Sequence, residues 1–107
     1  AGQYIVSNSS EESKLTVPEI TIKDTFCFNF HYMFYGNGTV SVYDNDTYLM
    51  SLSKFEYDMW RGVNITLSGG IHNIHFAYSN GNSTSGAMAL DSVSIIPGRC
   101  LHKRKTV

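Results

Sequence analysis

The side chains able to do chemistry in this 107-residue chain are four histidines, nine acidic residues and two cysteines, and their spacing limits what they can do. His72 and His75 stand three apart. On a helix that spacing puts both rings on one face, where they could share a metal ion, but on a strand it sends them to opposite faces. His31 lies in an aromatic run and His102 in a basic tail. No stretch has the form of a nucleophile elbow, a zinc-binding helix or a phosphate loop, so the chain is not expected to be an enzyme. Asp44 and Asp46 flank Asn45 in a turn-forming triplet and are expected at a solvated hairpin tip. Asp91 is different. Strict alternation through Ala87-Met88-Ala89-Leu90-Asp91-Ser92-Val93-Ser94-Ile95 puts it on the face of Ala89, Val93 and Ile95. A carboxylate on an apolar face must be paired, hydrogen-bonded or bound to a cation, because bare burial is too costly. Arg61, a backbone nest or a structural Ca2+ held by oxygens would serve, which makes Asp91 the candidate metal ligand. No other cofactor is called for.

Two signals place the chain outside the cytosol. Five sequons have a permitted middle residue: those beginning at Asn8, Asn37, Asn45, Asn64 and Asn82. Chance would give roughly one or two. Covalent N-glycans are therefore expected, four of them in turns or terminal segments and the one at Asn64 on the polar side of a strand. The second signal is Cys27 and Cys100, whose simplest pairing in an oxidising compartment is with each other. The loop between them holds about 70 residues, and closing it would stabilise the fold by about 4 kcal/mol in the chain-entropy model.

The elements that must position these residues are strands. In Phe26 to Tyr35 the even positions form an aromatic row and the odd positions a mixed one, the period of a strand buried firmly on one side. Gly36-Asn37-Gly38 then predicts a tight hairpin into a strand from Thr39 to Asp44. Further strands are expected over Tyr48–Ser53, Trp60–Leu67, Ile71–Tyr78 and Ala87–Ile96, with weaker ones at Gln3–Val6 and Leu15–Val17. Seven or eight short strands at such turn spacings predict an all-β protein, an antiparallel sandwich or jelly roll. The expected division is one sandwich domain over residues 1–100 and a basic tail over 101–107.

Composition narrows the partners. Arg99, Lys103, Arg104 and Lys105 are half of the eight basic residues, so the remainder holds four basic against nine acidic side chains. A nucleic-acid binder needs positive charge on its folded body, and this body is acidic. No apolar run approaches the roughly 18 residues of a transmembrane helix. The absence of an initiator Met and a signal peptide suggests a mature or excised piece.

The ordered string Cys27-Phe28-Asn29-Phe30-His31-Tyr32, Gly38-Thr39-Val40-Ser41-Val42-Tyr43, Trp60-Arg61, Gly86-Ala87-Met88-Ala89-Leu90-Asp91-Ser92-Val93 and Gly98-Arg99-Cys100 resembles the C-terminal two-thirds of a MAM domain. The opening Gly2-Gln3-Tyr4-Ile5-Val6 and Leu15-Thr16-Val17-Pro18 are similar to the family's middle portion. The resemblance implies an extracellular or cell-surface jelly roll for adhesion or oligomerisation, with its last two cysteines paired. In related jelly rolls the Asp of the last strand can help hold a cation, a role that would fall to Asp91. The family's first third is missing, which implies an uncovered sheet edge needing a partner. The expected function is thus a structural or adhesion module that binds a protein partner or identical subunits, forming an oligomer or filament. The alternative is a carbohydrate-binding module with Tyr35, Tyr43, Tyr48 or Trp60 as its stacking platform.

Overall fold

The computed structural model describes residues 4–7, 14–36, 38–53, 59–79 and 86–101. Alternating burial makes the strands. In β4 (Phe26–Gly36) Phe26, Phe28, Phe30, Tyr32 and Phe34 are buried, while His31 and Tyr35 face outward and are exposed. The neighbouring strands repeat the pattern. β5 (Thr39–Asp44) buries Val40 and Val42, and β9 (Ile74–Ser79) buries Ile74, Phe76 and Tyr78.

Two four-stranded antiparallel sheets result. One runs β1 (Tyr4–Ser7), β10 (Gly86–Pro97), β4, β7 (Arg61–Leu67); the other runs β2 (Lys14–Thr16), β9, β5, β6 (Thr47–Ser53). A small pair, β3 (Ile20–Ile22) with β8 (Gly70–His72), closes one end. The two apolar faces meet in one core, where the Phe30 and Phe76 rings pack edge to face at 5.2 Å. Edge β1 lies against edge β2, so β7 and β6 form the opposite side of the sandwich. The chain alternates between sheets as a jelly roll does, and the expected fold class holds.

That alternation overturns the hairpin expected at Asn37-Gly38. β4 and β5 belong to different sheets and do not pair, so the connection crosses the core instead of folding back. The core explains why: the β4 aromatic row must face the β5 valines, and a hairpin would set the strands side by side. Asn37 itself lies outside the described residues. The strand expected over Ile71–Tyr78 is interrupted at Asn73, so that β8 joins β3 and β9 joins β5. β3 was not expected from the sequence.

Candidate functional site

The structure pairs Cys27 with Cys100, Cα atoms 4.8 Å apart. Cys27 lies on the outer face of β4, opposite Thr66 and Ile96. A turn after β10 brings Cys100 back to it. Gly98 N–H donates to the Thr25 carbonyl at 2.9 Å, and Cys100 N–H donates to Thr66 Oγ1 at 3.0 Å. The bridge thereby ties the end of β10 to the start of β4.

Asp44 and His72 form a pair that the sequence reading missed. Asp44 is buried rather than solvated, and only Asp46 sits exposed in the turn. Asp44 Oδ2 meets His72 Nδ1 at 2.5 Å, and Oδ1 accepts from Asn73 N–H at 3.2 Å. His72 Nε2 lies 2.7 Å from the Ser68 carbonyl, which can only accept, so Nε2 carries a proton. With Nδ1 against a carboxylate, the ring is suited to be an imidazolium. Burial by itself would lower the His72 pKa, but the hydrogen bonds to Asp44 and Ser68 and the Asp44 charge outweigh it, and the pKa stands above its ordinary value. Both ring nitrogens are engaged, so the pair fastens the β5–β6 hairpin to the β7–β8 turn and offers nothing to a substrate. His75 points the other way and stacks on Tyr43, ring centroids 4.9 Å apart; the two histidines do fall on opposite faces.

Asp91 is corrected by a β-bulge. Asp91 pairs with His31, but the next matched pair is Ser94 with Asn29, and Ser92 takes φ 56°. The extra residue reverses the alternation. Val93 packs on the core and Ile95 stands opposite buried Phe28, while Asp91 faces outward with Ala89. Its Oδ1 accepts from the Ser92 N–H at 2.7 Å. It borders a shallow cavity with His31, Trp60 and Ser92. Among the described residues the cavity brings together one carboxylate and one imidazole, against the six to eight oxygens that Ca2+ takes. Among the described residues no group of three or more His, Cys, Asp or Glu side chains is placed to hold a metal ion.

The four aromatic candidates separate. Tyr43 and Tyr48 are cross-strand partners on the outer face of the β2-β9-β5-β6 sheet, rings 5.9 Å apart, in a row with His75. The Tyr48 hydroxyl shares a 2.7 Å hydrogen bond with Ser51. Tyr35 and Trp60 belong to the other sheet and its approach.

Of the sequon asparagines, Asn45 and Asn64 lie within the described residues and both are exposed. Asn45 occupies the hairpin tip at φ 56°, a left-handed conformation Asn tolerates. Its Oδ1 accepts from Asn73 Nδ2 at 2.8 Å and its Nδ2 approaches the Ile71 carbonyl at 3.4 Å. Asn64 projects from the outer face of edge strand β7, opposite Asn29. Asn8, Asn37, Asn82 and the basic residues of the tail beyond Leu101, His102 included, lie outside the described residues.

The described sheets end in edge strands β1 and β7, and β2 and β6, and part of β10 also lacks a described neighbour on one side. β1 pairs with β10 only over Ala87–Leu90, and beyond Leu90 that side of β10 has no partner among the described residues. Below this edge the two sheets part. A groove of about 380 Å³ runs past Leu15, Val17, Leu90 and Val93, and a second of about 620 Å³ past Ile22 and Ile95. Ile96, on the outer face of the same stretch, is 54% exposed.

Comparison with known proteins follows the architecture. A solved structure described as "CBM4 structure and function" is similar at TM-score 0.50 and 17% identity, covering 77% of this chain and 70% of that one. Another, "Structure of a family 35 carbohydrate binding module from an environmental isolate", is similar at TM-score 0.48 and 15% identity, covering 82% and 72%. At such identity the first is a likeness of β-sandwich fold alone. No curated protein matches the sequence. The family model described as "MAM domain, meprin/A5/mu" matches residues 1–101, and with the aromatic strand, the Cys27–Cys100 bridge and the jelly-roll order in place, the chain belongs to the MAM domain family.

Proposed function

We propose that this chain is an extracellular, N-glycosylated association module, used for adhesion or assembly between proteins and not for catalysis. MAM membership supports the compartment and the class of activity. The observation that carries the reading is a sandwich of two antiparallel sheets that end, among the described residues, in edge strands β6 and β7. Unpaired strand edges are either blunted or used, and strand addition is the physical mode by which they are used. Oligomers or filaments follow where the donated strand is part of a repeating subunit. The test uses the secreted, glycosylated chain on beads. Beads carrying the folded chain should adhere to cells or to one another more than beads carrying heat-unfolded chain. Adhesion should survive enzymatic removal of cell-surface glycans; no adhesion in any pairing would overturn the proposal.

A second reading, carbohydrate binding, is favoured by one observation: the Tyr43–Tyr48–His75 row, in which Tyr48 is 55% exposed on an outer sheet face. Aromatic faces of this kind can stack on sugar rings. Binding on a glycan array that Tyr48→Ala abolishes would support it, and an array without signal would remove it.

A further inference from the structure

We infer that Asn64 accepts its N-glycan only before Cys27 and Cys100 close their bridge, so that oligosaccharide transfer must come first and thiol oxidation must act on its product. The inference rests on the N-glycosylated part of the reading above and on nothing in its association part.

Asn64 is placed unlike an ordinary acceptor. Sequons are used in surface loops, and Asn45 occupies such a place at its hairpin tip. Asn64-Ile65-Thr66 instead lies within β7, paired with β4 from Arg61 opposite Tyr32 through Leu67 opposite Phe26. Ile65 packs on the core. Asn64 and Thr66 share the outer face and both are exposed, so a finished glycan fits there. Transfer makes a further demand. The transferase must hold the Asn amide and the Thr hydroxyl together, since the hydroxyl residue is what distinguishes a sequon from any other Asn.

The bridge takes that hydroxyl away. Thr66 stands directly opposite Cys27, and the turn that brings Cys100 to Cys27 passes over it. Cys100 N–H donates to Thr66 Oγ1 at 3.0 Å, which puts the Cys100 backbone where a recognising group of the enzyme would have to sit. Asn64 borders one cavity with Arg99, Cys100 and Leu101, so the same turn also walls the space beside the acceptor amide. Once the disulfide is closed, the turn is fixed to β4 at Cys27 and cannot swing off Thr66. Before closure it is held by hydrogen bonds, the one to Thr66 and that from Gly98 N–H to the Thr25 carbonyl. Chain order opens the window: Cys100 follows Thr66 by 34 positions, so a growing chain presents Asn64 before its lock exists.

The two steps are chemically separate. In the first, Asn64 Nδ2 forms a bond to the anomeric carbon of a lipid-pyrophosphate-linked oligosaccharide, a proton leaves the amide nitrogen and the lipid pyrophosphate departs. In the second, the two thiols give up two protons and two electrons to a disulfide oxidant, which leaves as its dithiol.

The test uses unglycosylated full chain, refolded under oxidising conditions and shown by intact mass to be bridged. It is given purified oligosaccharyltransferase and a lipid-pyrophosphate-linked oligosaccharide, beside Cys27→Ser with Cys100→Ser and a synthetic peptide of residues 61–68. Glycopeptide mapping should find transfer to Asn64 slower in the bridged chain than in the double variant by about tenfold or more, because β7 must open first and the bridge makes that opening rarer. Where the double variant loses its β circular dichroism, the reverse order decides. Reduced chain already carrying the Asn64 glycan should still close its bridge to completion under a disulfide oxidant. Equal transfer rates in folded bridged and unbridged chains, or a glycan that prevents closure, would overturn the order while leaving N-glycosylation standing. No transfer to Asn64 even in the peptide would remove the glycan reading at this site, and the order with it.

Discussion

The Asp44–His72 pair gives the residue scale its clearest consequences. Asp44→Asn removes the charge opposite a buried imidazolium and leaves a weaker acceptor, which should cost about 1–3 kcal/mol of stability in chemical denaturation. The pair also predicts a pH dependence. The pKa of His72 is raised in the folded chain above its ordinary 6.5, so the fold binds that proton more tightly than the unfolded chain does. The stabilisation is therefore complete below pH 6.5 and is lost as pH rises through the folded value. Thermal melts of the parent and His72→Gln should show their widest gap in mild acid and a narrowing gap toward alkaline pH. A gap independent of pH would mean that the ring is not charged in the fold. At Asp91 the carboxylate accepts the Ser92 N–H, and chelation of divalent ions is expected to leave the thermal midpoint unchanged.

At the scale of elements, the small β3–β8 pair depends on a residue without a side chain. A Cβ at Gly69 would overlap the Lys23 backbone carbonyl, and backbone cannot swing aside as the tip of a side chain can. Gly69→Ala should cost about 1–3 kcal/mol, the range for overpacking. It should also raise hydrogen exchange in β3 and β8 before the main sheets. The disulfide fastens two elements that already pair, β4 with β10, so removing it should loosen the chain without changing its topology. Cys27→Ser with Cys100→Ser should lower stability by about 2–5 kcal/mol while far-ultraviolet circular dichroism keeps its β signature.

For the whole molecule, the two described sequon asparagines lie on the side of edge strands β6 and β7. Removal of N-glycans should lower the intact mass, and glycopeptide mapping should find Asn45 and Asn64 occupied, since both are exposed at positions where a bulky group meets no neighbour in the core. Removing those glycans should leave adhesion intact and increase non-specific aggregation, because the β6 and β7 edges would lose their cover.

Much of this was legible in the sequence because strands write themselves with a period of two. The aromatic row of β4, the polar side of Asn64, the opposed His72 and His75 and the single possible cysteine pair all follow from parity and composition, as does the all-β class. Partners across the core leave no such trace. Asn37-Gly38 is a good hairpin signal locally, yet only packing β4 against β5 shows that the chain must cross between sheets. Asp44 reads as a turn residue until a histidine 28 positions away is folded over it. Alternation joins Asp91 to Val93 and Ile95, and only a one-residue bulge, invisible to a regular period, turns those two inward and leaves Asp91 outside. The sequence thus determined which residues face together within a strand. Which strands lie together was decided by long-range burial of the two apolar faces against each other.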